Sequence, residues 1–329
     1  MSFSSEVKNQ LCRIELSENC CKMAELAAII GVSGYFGFSA TGNSYNMKIT
    51  TENAAFARSV FSSIKSLFGI NPEIVIRKSK RFKKHTAYTI IVTGSMGAGI
   101  IINDTGIKPV VSGSTISLDY SDKLLSLLDK QCCTRSFLRG AFLAGGSISD
   151  PEKTYHLEIS GRHRKIVKLI NKITNDFGLN GKIIIRKGNY VMYLKEGENI
   201  VDFLNIIGAH NALLDMENVR ILKQMRNDVN RLVNCETANL EKTVVASVRQ
   251  IENIKYISEN IGLEHLPENL RIIAELRLKH QDANLKELGQ LLDPPLGKSG
   301  VNHRLRKLEK IAEEARQKKG KYKEIITGN

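Results

Sequence analysis

Two passages of the chain carry nearly the same run of apolar and small residues. They are Asn19-Cys-Cys-Lys-Met-Ala-Glu-Leu-Ala-Ala-Ile-Ile-Gly-Val-Ser-Gly-Tyr-Phe36 and Gln131-Cys-Cys-Thr-Arg-Ser-Phe-Leu-Arg-Gly-Ala-Phe-Leu-Ala-Gly-Gly-Ser-Ile148. Each predicts an apolar helix ending in small residues, over 23–32 and 137–144. Alternation of apolar and polar positions then predicts a strand over 45–50 and again over 155–160. Helical periodicity follows over 53–67 and 164–177, stopped by Gly69 and Gly178 as helix C-termini tend to be. Two strands close each half, 73–77 with 87–93 and 182–186 with 190–195. The basic run Lys78-Ser-Lys-Arg-Phe-Lys-Lys-His85 links the first pair, and the tight Gly188-Asn189 links the second. Cys132 follows Cys20 by 112 residues, Tyr155 follows Tyr45 by 110, and Phe177 follows Phe68 by 109. A repeat this long is not a solenoid unit but a duplicated domain half. The expected class is α+β, a pseudo-two-fold body over 1–215 with αββ-type halves at about 20–95 and 131–210.

The insert between the halves, 96–130, has its own pattern, with an apolar helix near its end. Gly94-Ser-Met-Gly-Ala-Gly99 is only superficially a phosphate loop: it lacks the Gly-Lys-Ser/Thr ending and the strand–loop–helix setting. From 211 to 260 the pattern is long, helical and rich in Asn, Arg and Val, so 216–260 reads as linking helices. Pro267 then opens a small all-α domain within 261–329.

Charge narrows the function. The 329 residues carry a net charge of +14, a balance that commonly marks a nucleic-acid partner because Lys and Arg neutralise phosphates. No apolar run approaches the length of a membrane span, and the opening residues hold no hydrophobic signal core, so a cytoplasmic, nucleoid-associated protein with no membrane partner is expected. The six cysteines form two adjacent pairs plus Cys12 and Cys235, with no spaced CxxC and no nearby His pair. That is not a zinc or disulfide framework. The two pairs hold equivalent places in the repeat and can meet around the dyad. They read as small buried thiols, with a metal or redox site as the lesser alternative, and no cofactor is expected.

Leu26-Ala-Ala-Ile-Ile-Gly-Val-Ser-Gly34 and Leu138-Arg-Gly-Ala-Phe-Leu-Ala-Gly-Gly146 resemble the signature helices of the LAGLIDADG homing endonucleases. The resemblance covers roughly 20–210 and implies two helices packed face to face, with one saddle-shaped sheet per half astride a DNA duplex. In that family the last acid of each motif holds a divalent metal at the DNA backbone. Here those positions are Ser33 and Gly145, and neither supplies the hard, charged oxygen that metal-assisted hydrolysis needs. Asp150 lies close by, but its counterpart in the first copy is Phe38, so no symmetric acid pair replaces the lost one. A non-enzyme is expected. The possible DNA saddle holds Arg77, Lys78, Lys80, Arg81, Lys83 and Lys84, with Lys48, in one half, and Arg162, Arg164, Arg186 and Lys187 in the other.

Asn284 to Leu308 reads as a helix-turn-helix. Leu285, Leu288, Leu291 and Leu292 give its first helix an apolar stripe, and Asp293-Pro294-Pro295 ends it. Ser299 suits an N-cap of the second helix, in which Val301, Leu305, Leu308 and Ala312 face inward. Ser299, His303, Arg306 and Lys310 then point outward, with Asn302 on the flank. An outward Arg suits guanine and Asn suits adenine, while Lys298, Arg304, Lys307 and Lys310 suit phosphates. The segment 267–280 is the expected supporting helix, with Leu270, Ile273 and Leu276 or Arg277 at its core face. The Lys318-Lys-Gly-Lys-Tyr-Lys323 tail reads as a mobile electrostatic arm.

A degenerate LAGLIDADG pair joined to Pro294-Pro-Leu-Gly-Lys-Ser-Gly-Val-Asn-His-Arg-Leu305 is similar to the WhiA family of bacterial regulators over essentially the full length. Ser2-Phe-Ser-Ser-Glu-Val-Lys8 and Asn227-Asp-Val-Asn-Arg-Leu-Val-Asn-Cys-Glu-Thr-Ala-Asn239 share that likeness. The resemblance implies double-stranded promoter DNA as partner, control of sporulation genes, or a part in cell division and chromosome segregation. Two readings follow. One is a site-specific transcription factor; the other is a chromosome-associated scaffold that binds DNA by charge and acts through another transcription or cell-division protein.

Overall fold

Small side chains on two equivalent helices bring their backbones into contact, and each half is built outward from that seam. The computed structural model describes residues 2–38, 45–78, 86–112 and 115–327. It divides into two units, Met1–Gln224 and Met225–Asn329. The first half runs α1 (Phe3–Leu11), α2 (Asn19–Ser33), β1 (Gly34–Phe38), β2 (Tyr45–Thr51), α3 (Ala54–Phe68), β3 (Glu73–Lys78) and β4 (Thr86–Val92). The insert holds α4 (Ala98–Thr105), the hairpin β5 (Ile107–Ser112) and β6 (Thr115–Tyr120), and α5 (Asp122–Leu128). The second half repeats the plan with α6 (Gln131–Gly145), β7 (Gly146–Ile148), β8 (Leu157–Gly161), α7 (Arg164–Asp176), β9 (Lys182–Arg186) and β10 (Asn189–Leu194). The α8 helix (Gly197–Ile207) and the first part of α9 (His210–Asn260) complete this unit.

The two four-stranded antiparallel sheets share one topology, β1-β2-β4-β3 and β7-β8-β10-β9. Local chemistry sets the elements in each. Asn53 caps α3 by accepting from the Phe56 N–H at 3.0 Å, Phe56, Val60 and Ile64 face the core, and Gly69 closes the helix at φ 68. Met47 and Ile49 of β2 point into the core while Lys48 and Thr50 point out, as a pleat of period two requires.

Each half therefore has four strands, one more than the three expected from the sequence, because β1 and β7 follow directly on the motif helices. Gly34-Tyr-Phe-Gly-Phe38 and Gly146-Ser-Ile148 fall between the helices and the strands expected from the sequence. Gly34 and Gly146 leave the helix in extended conformation and pair at once, with Ile49 and Ile159. The α2 and α6 helices also begin earlier than their apolar cores suggest, so both Cys-Cys pairs lie in first helical turns. In the insert, β4 leads through Gly94–Met96 and Gly97 into α4, so the strand–loop–helix order judged missing is present. The Lys-Ser/Thr ending is still lacking. The turn between β9 and β10 is Lys187-Gly188, both at positive φ (49 and 78), one residue earlier than expected. The linking helices are a single 51-residue helix, α9, since no Pro or Gly interrupts it.

At the seam, Ala24, Ala27 and Ala28 of α2 and Ala141 of α6 are fully buried, and a Cβ at Gly140 would lie 2.3 Å from the Glu25 carbonyl oxygen. A buried ion pair sits beside that contact. Arg139 Nη1 is 3.5 Å from Glu25 Oε2, and Arg139 Nε donates to the Ile207 carbonyl at 2.7 Å. Burial pushes the Glu25 carboxyl up from 4.5 to about 7, with the Arg139 guanidinium pulling the other way. The folded chain thus binds this proton more tightly than the unfolded one. The stability it contributes is complete below pH 4.5 and is lost as pH rises through about 7. Glu25→Gln is expected to flatten the fall of Tm across that window by scanning fluorimetry; an unchanged slope would mean that Glu25 stays ionised throughout.

The second unit contains the rest of α9, then α10 (Glu268–Lys279), α11 (Leu285–Gln290) and α12 (Lys298–Thr327). Its core joins Ile254 and Ile257 of α9 to Leu270, Ile273 and Ala274 of α10, Leu288 of α11, and Val301, Leu305, Leu308 and Ala312 of α12.

Candidate nucleic-acid interface

The α11–α12 pair is held by caps and close backbone contacts. Asn284 and Glu287 form a reciprocal capping box at the start of α11. The Leu296 N–H donates to the Gly289 carbonyl at 2.9 Å, and a Cβ on Gly289 would fall 2.0 Å from the Leu296 oxygen. Only glycine permits the turn to fold back this tightly. Leu288 and Leu292 are buried beneath it, whereas Leu291 is 48% exposed and leaves the expected stripe. On α10 the core position is Arg277 rather than Leu276: 2% exposed, it donates to Gln250 Oε1 of α9 at 2.8 and 3.0 Å and to the Ala283 carbonyl. Burial lowers its pKa, and its donors are used to tie α9 to the turn before α11.

The α12 helix begins at Lys298, with the Val301 N–H bonded to the Gly297 carbonyl, so Gly297 occupies the cap position and Ser299 lies within the first turn. Val301, Leu305, Leu308 and Ala312 are buried as the periodicity required. On the opposite side Ser299, His303, Arg306 and Lys310 form one exposed stripe, flanked by exposed Lys298 and Lys307. Asn302 is half-buried. Arg304 is also half-buried and donates to the Asn269 carbonyl at 3.4 Å. The basic tail is the last part of α12, which runs on to Thr327 because Glu-, Lys- and Gln-rich sequence sustains a helix. Arg249 of α9 pairs with Glu309, and Arg316 lies 4.6 Å from the Tyr256 ring centroid; neither contact was legible from spacing.

In the first unit the sheets are covered on one face by helices and open on the other. Strand register puts Lys48 and Arg77 on the first open face beside Glu73, and Lys182 and Arg186 on the second beside Glu158. Arg186 Nη1 is 3.2 Å from Glu158 Oε2. Arg162 stacks over Tyr35, 4.1 Å from the ring centroid, and Lys187 is exposed at its hairpin tip. Two saddle candidates are displaced. Lys78 alternates to the helix-covered side with Ile76, and Arg164 opens α7, which belongs to the helical layer. Lys80, Arg81, Lys83 and Lys84 lie outside the described residues. Lys182 was missed, although its position two and four residues before Ile184 and Arg186 marks the same strand face.

Ser33 and Gly145 stand at the C-terminal ends of the paired helices, where the resemblance placed the metal-binding acids. Ser33 Oγ donates to the Ile29 carbonyl at 2.9 Å, so the hydroxyl is turned back on its own helix. A Cβ at Gly145 would lie 2.3 Å from the Ser160 carbonyl oxygen and 2.6 Å from Val32 Cγ1. Gly145→Asp is therefore expected to lower Tm without producing Mg²⁺-dependent nicking of plasmid DNA. Nicking by that variant would show that the scaffold still presents a cleavage-competent site.

Comparison with known families gives the same three parts. Residues 19–108 match the WhiA N-terminal LAGLIDADG-like domain, 134–226 the WhiA LAGLIDADG-like domain, and 229–312 the WhiA C-terminal HTH domain. A relative from Alkaliphilus metalliredigens is 53% identical over 97% of this chain and 99% of its own length. The chain belongs to the WhiA family. That relative and one from Ruminiclostridium cellulolyticum, 55% identical over 96% of this chain and 99% of its own length, are each named as a probable cell division protein WhiA. The crystal structure of full-length DUF199/WhiA from Thermatoga maritima matches 95% of this chain and 99% of its own, at 28% identity and a TM-score of 0.57. The chain thus joins an HTH domain to a LAGLIDADG-like body, two WhiA-family parts that together point to DNA binding. Among the described residues, no helix is long and apolar enough to cross a membrane.

Proposed function

We propose that this chain is a sequence-specific DNA-binding regulator of transcription whose LAGLIDADG-like body has lost endonuclease activity. The observation that carries the reading is the stripe of Ser299, His303, Arg306 and Lys310 along the exposed side of α12. A recognition helix presents its N-terminal outward side chains to base edges in the major groove, and flanking Lys298 and Lys307 neutralise phosphates. The target is double-stranded DNA at promoters on the nucleoid, in the cytoplasm. The family resemblance extends the role to sporulation genes, cell division and chromosome segregation, with a transcription or cell-division protein as partner. Ser33 and Gly145 support the non-enzymatic part, since neither offers a metal ligand of carboxylate type.

A pull-down of sheared genomic DNA at near-physiological salt, sequenced beside an Arg306→Ala control, tests the proposal. Sharp peaks upstream of genes that vanish in the variant are the expected result. The charge of +14 favours a second reading, the scaffold that grips DNA without sequence preference. A flat profile for both proteins, with a steep loss of binding as salt rises, would select it.

A further inference from the structure

The chemistry missing from one end of the motif helices has a counterpart at the other. Cys20 and Cys21 occupy the first turn of α2, and Cys132 and Cys133 occupy the first turn of α6. All four Sγ atoms lie within 4.8 Å of one another. A tetrahedral zinc thiolate with Zn–S near 2.3 Å sets its sulfurs about 3.8 Å apart, so a small contraction turns this cluster into a four-ligand shell. A cluster of several irons would need the thiols spread more widely than a single ion does.

We infer that Cys20, Cys21, Cys132 and Cys133 form a binding site for one thiolate-coordinated metal ion, zinc by chemical class, that ties the two halves together across the pseudo-dyad. Four thiolates with no carboxylate or water position select a soft or borderline ion and leave no open coordination site, which makes the role structural. Each thiol gives its proton to solvent as the ion binds, and the resulting doubly negative centre needs compensation. Both helices direct their positive N-terminal ends at the site, and neither has a side-chain cap hydrogen bond competing for those ends. Cys21 and Cys133 are buried, Cys20 is half-buried and Cys132 is exposed, so the site has a dry inner side and an entry path. The α2–α6 seam is the largest contact between the halves, and an ion at its open end would lock the approach of the two backbones. This inference is independent of what DNA the protein reads.

The test uses the full-length chain, reduced and handled without oxygen, titrated with Co²⁺ and then Zn²⁺. The expected result is one Co²⁺ per chain, with the intense visible bands and the sulfur-to-metal charge-transfer band of a tetrahedral thiolate site, both abolished by a stoichiometric amount of Zn²⁺. Cys132→Ser replaces the exposed ligand and should fold with an unchanged circular dichroism spectrum. It should bind at least about tenfold more weakly, since even loss of a supporting partner costs that much. Cys235→Ser, on an exposed stretch of α9 outside the cluster, should behave as the parent. Zinc should raise Tm in the parent and in Cys235→Ser, and by less in Cys132→Ser at the same zinc concentration. A folded, reduced parent chain with no tetrahedral thiolate bands overturns the inference, and so do bands that persist unchanged in Cys132→Ser. Formation of an α2–α6 disulfide in air by a chain that takes up no cobalt when reduced would likewise overturn it.

Discussion

Arg306→Ala should weaken binding to the chain's own operator by about 5- to 150-fold, the equivalent of ~1–3 kcal/mol, while leaving random-sequence DNA within about twofold. Arg306 is exposed between His303 and Lys310 on the outward stripe of α12. It has the planar donor fork that pairs with guanine in the major groove. Its side chain is not used by the core, which on α12 consists of Val301, Leu305, Leu308 and Ala312. The substitution should therefore leave folding intact, and a circular dichroism melt would check this. Lys307→Ala makes the contrasting case: a phosphate contact carries no sequence information, so its loss should weaken all DNA alike and lower the salt slope by about one. Fluorescence anisotropy on operator and scrambled duplexes separates the two. Equal losses on both duplexes for Arg306→Ala would remove it from base readout.

Gly140→Ala should be among the most damaging single-methyl changes in the first unit. The added carbon would sit 2.3 Å from the Glu25 carbonyl oxygen and 3.1 Å from its Cα, atoms of the α2 backbone that cannot rotate aside. Either the seam opens or the helices shift, and both loosen the packing of Leu26, Ala27, Leu138 and Ala141. A cost of ~3 kcal/mol is at the high end for overpacking and corresponds to a fall in Tm of roughly 6–12 °C for a unit of this size. Gly99→Ala is the control, because a Cβ there meets nothing within 4 Å and the residue lies inside α4. Helix propensity alone predicts a slight gain for it. If Gly140→Ala melts with the parent, the two helices are not in backbone contact at that residue.

The repeat was legible because both halves repeat chemistry as well as length. The Leu26 and Leu138 motifs, the β2 and β8 alternation and the glycine stops after α3 and α7 recur at nearly constant spacing. The first strand of each half was not legible, since Gly34 and Gly146 are as suitable for a loop as for an edge strand. In the helix-turn-helix, the inward and outward faces of α12 followed from its 3.6-residue period. Its starting residue did not, because Ser299 and Gly297 both suit a cap and the fold of the turn over Gly289 selects between them.

Sequence alone thus determined the duplication, the absence of an acid at Ser33 and Gly145, the basic charge and the outward residues of α12. Each of these is a matter of residue type or of local period. Tertiary structure decided what depends on two distant segments meeting. It buried Arg277 against Gln250, tied Arg304 to Asn269, turned Lys78 off the open sheet face, and drew four cysteines more than a hundred residues apart into one cluster. The physical reason is that periodicity fixes which way a side chain points from its own element, whereas only packing fixes what stands opposite it.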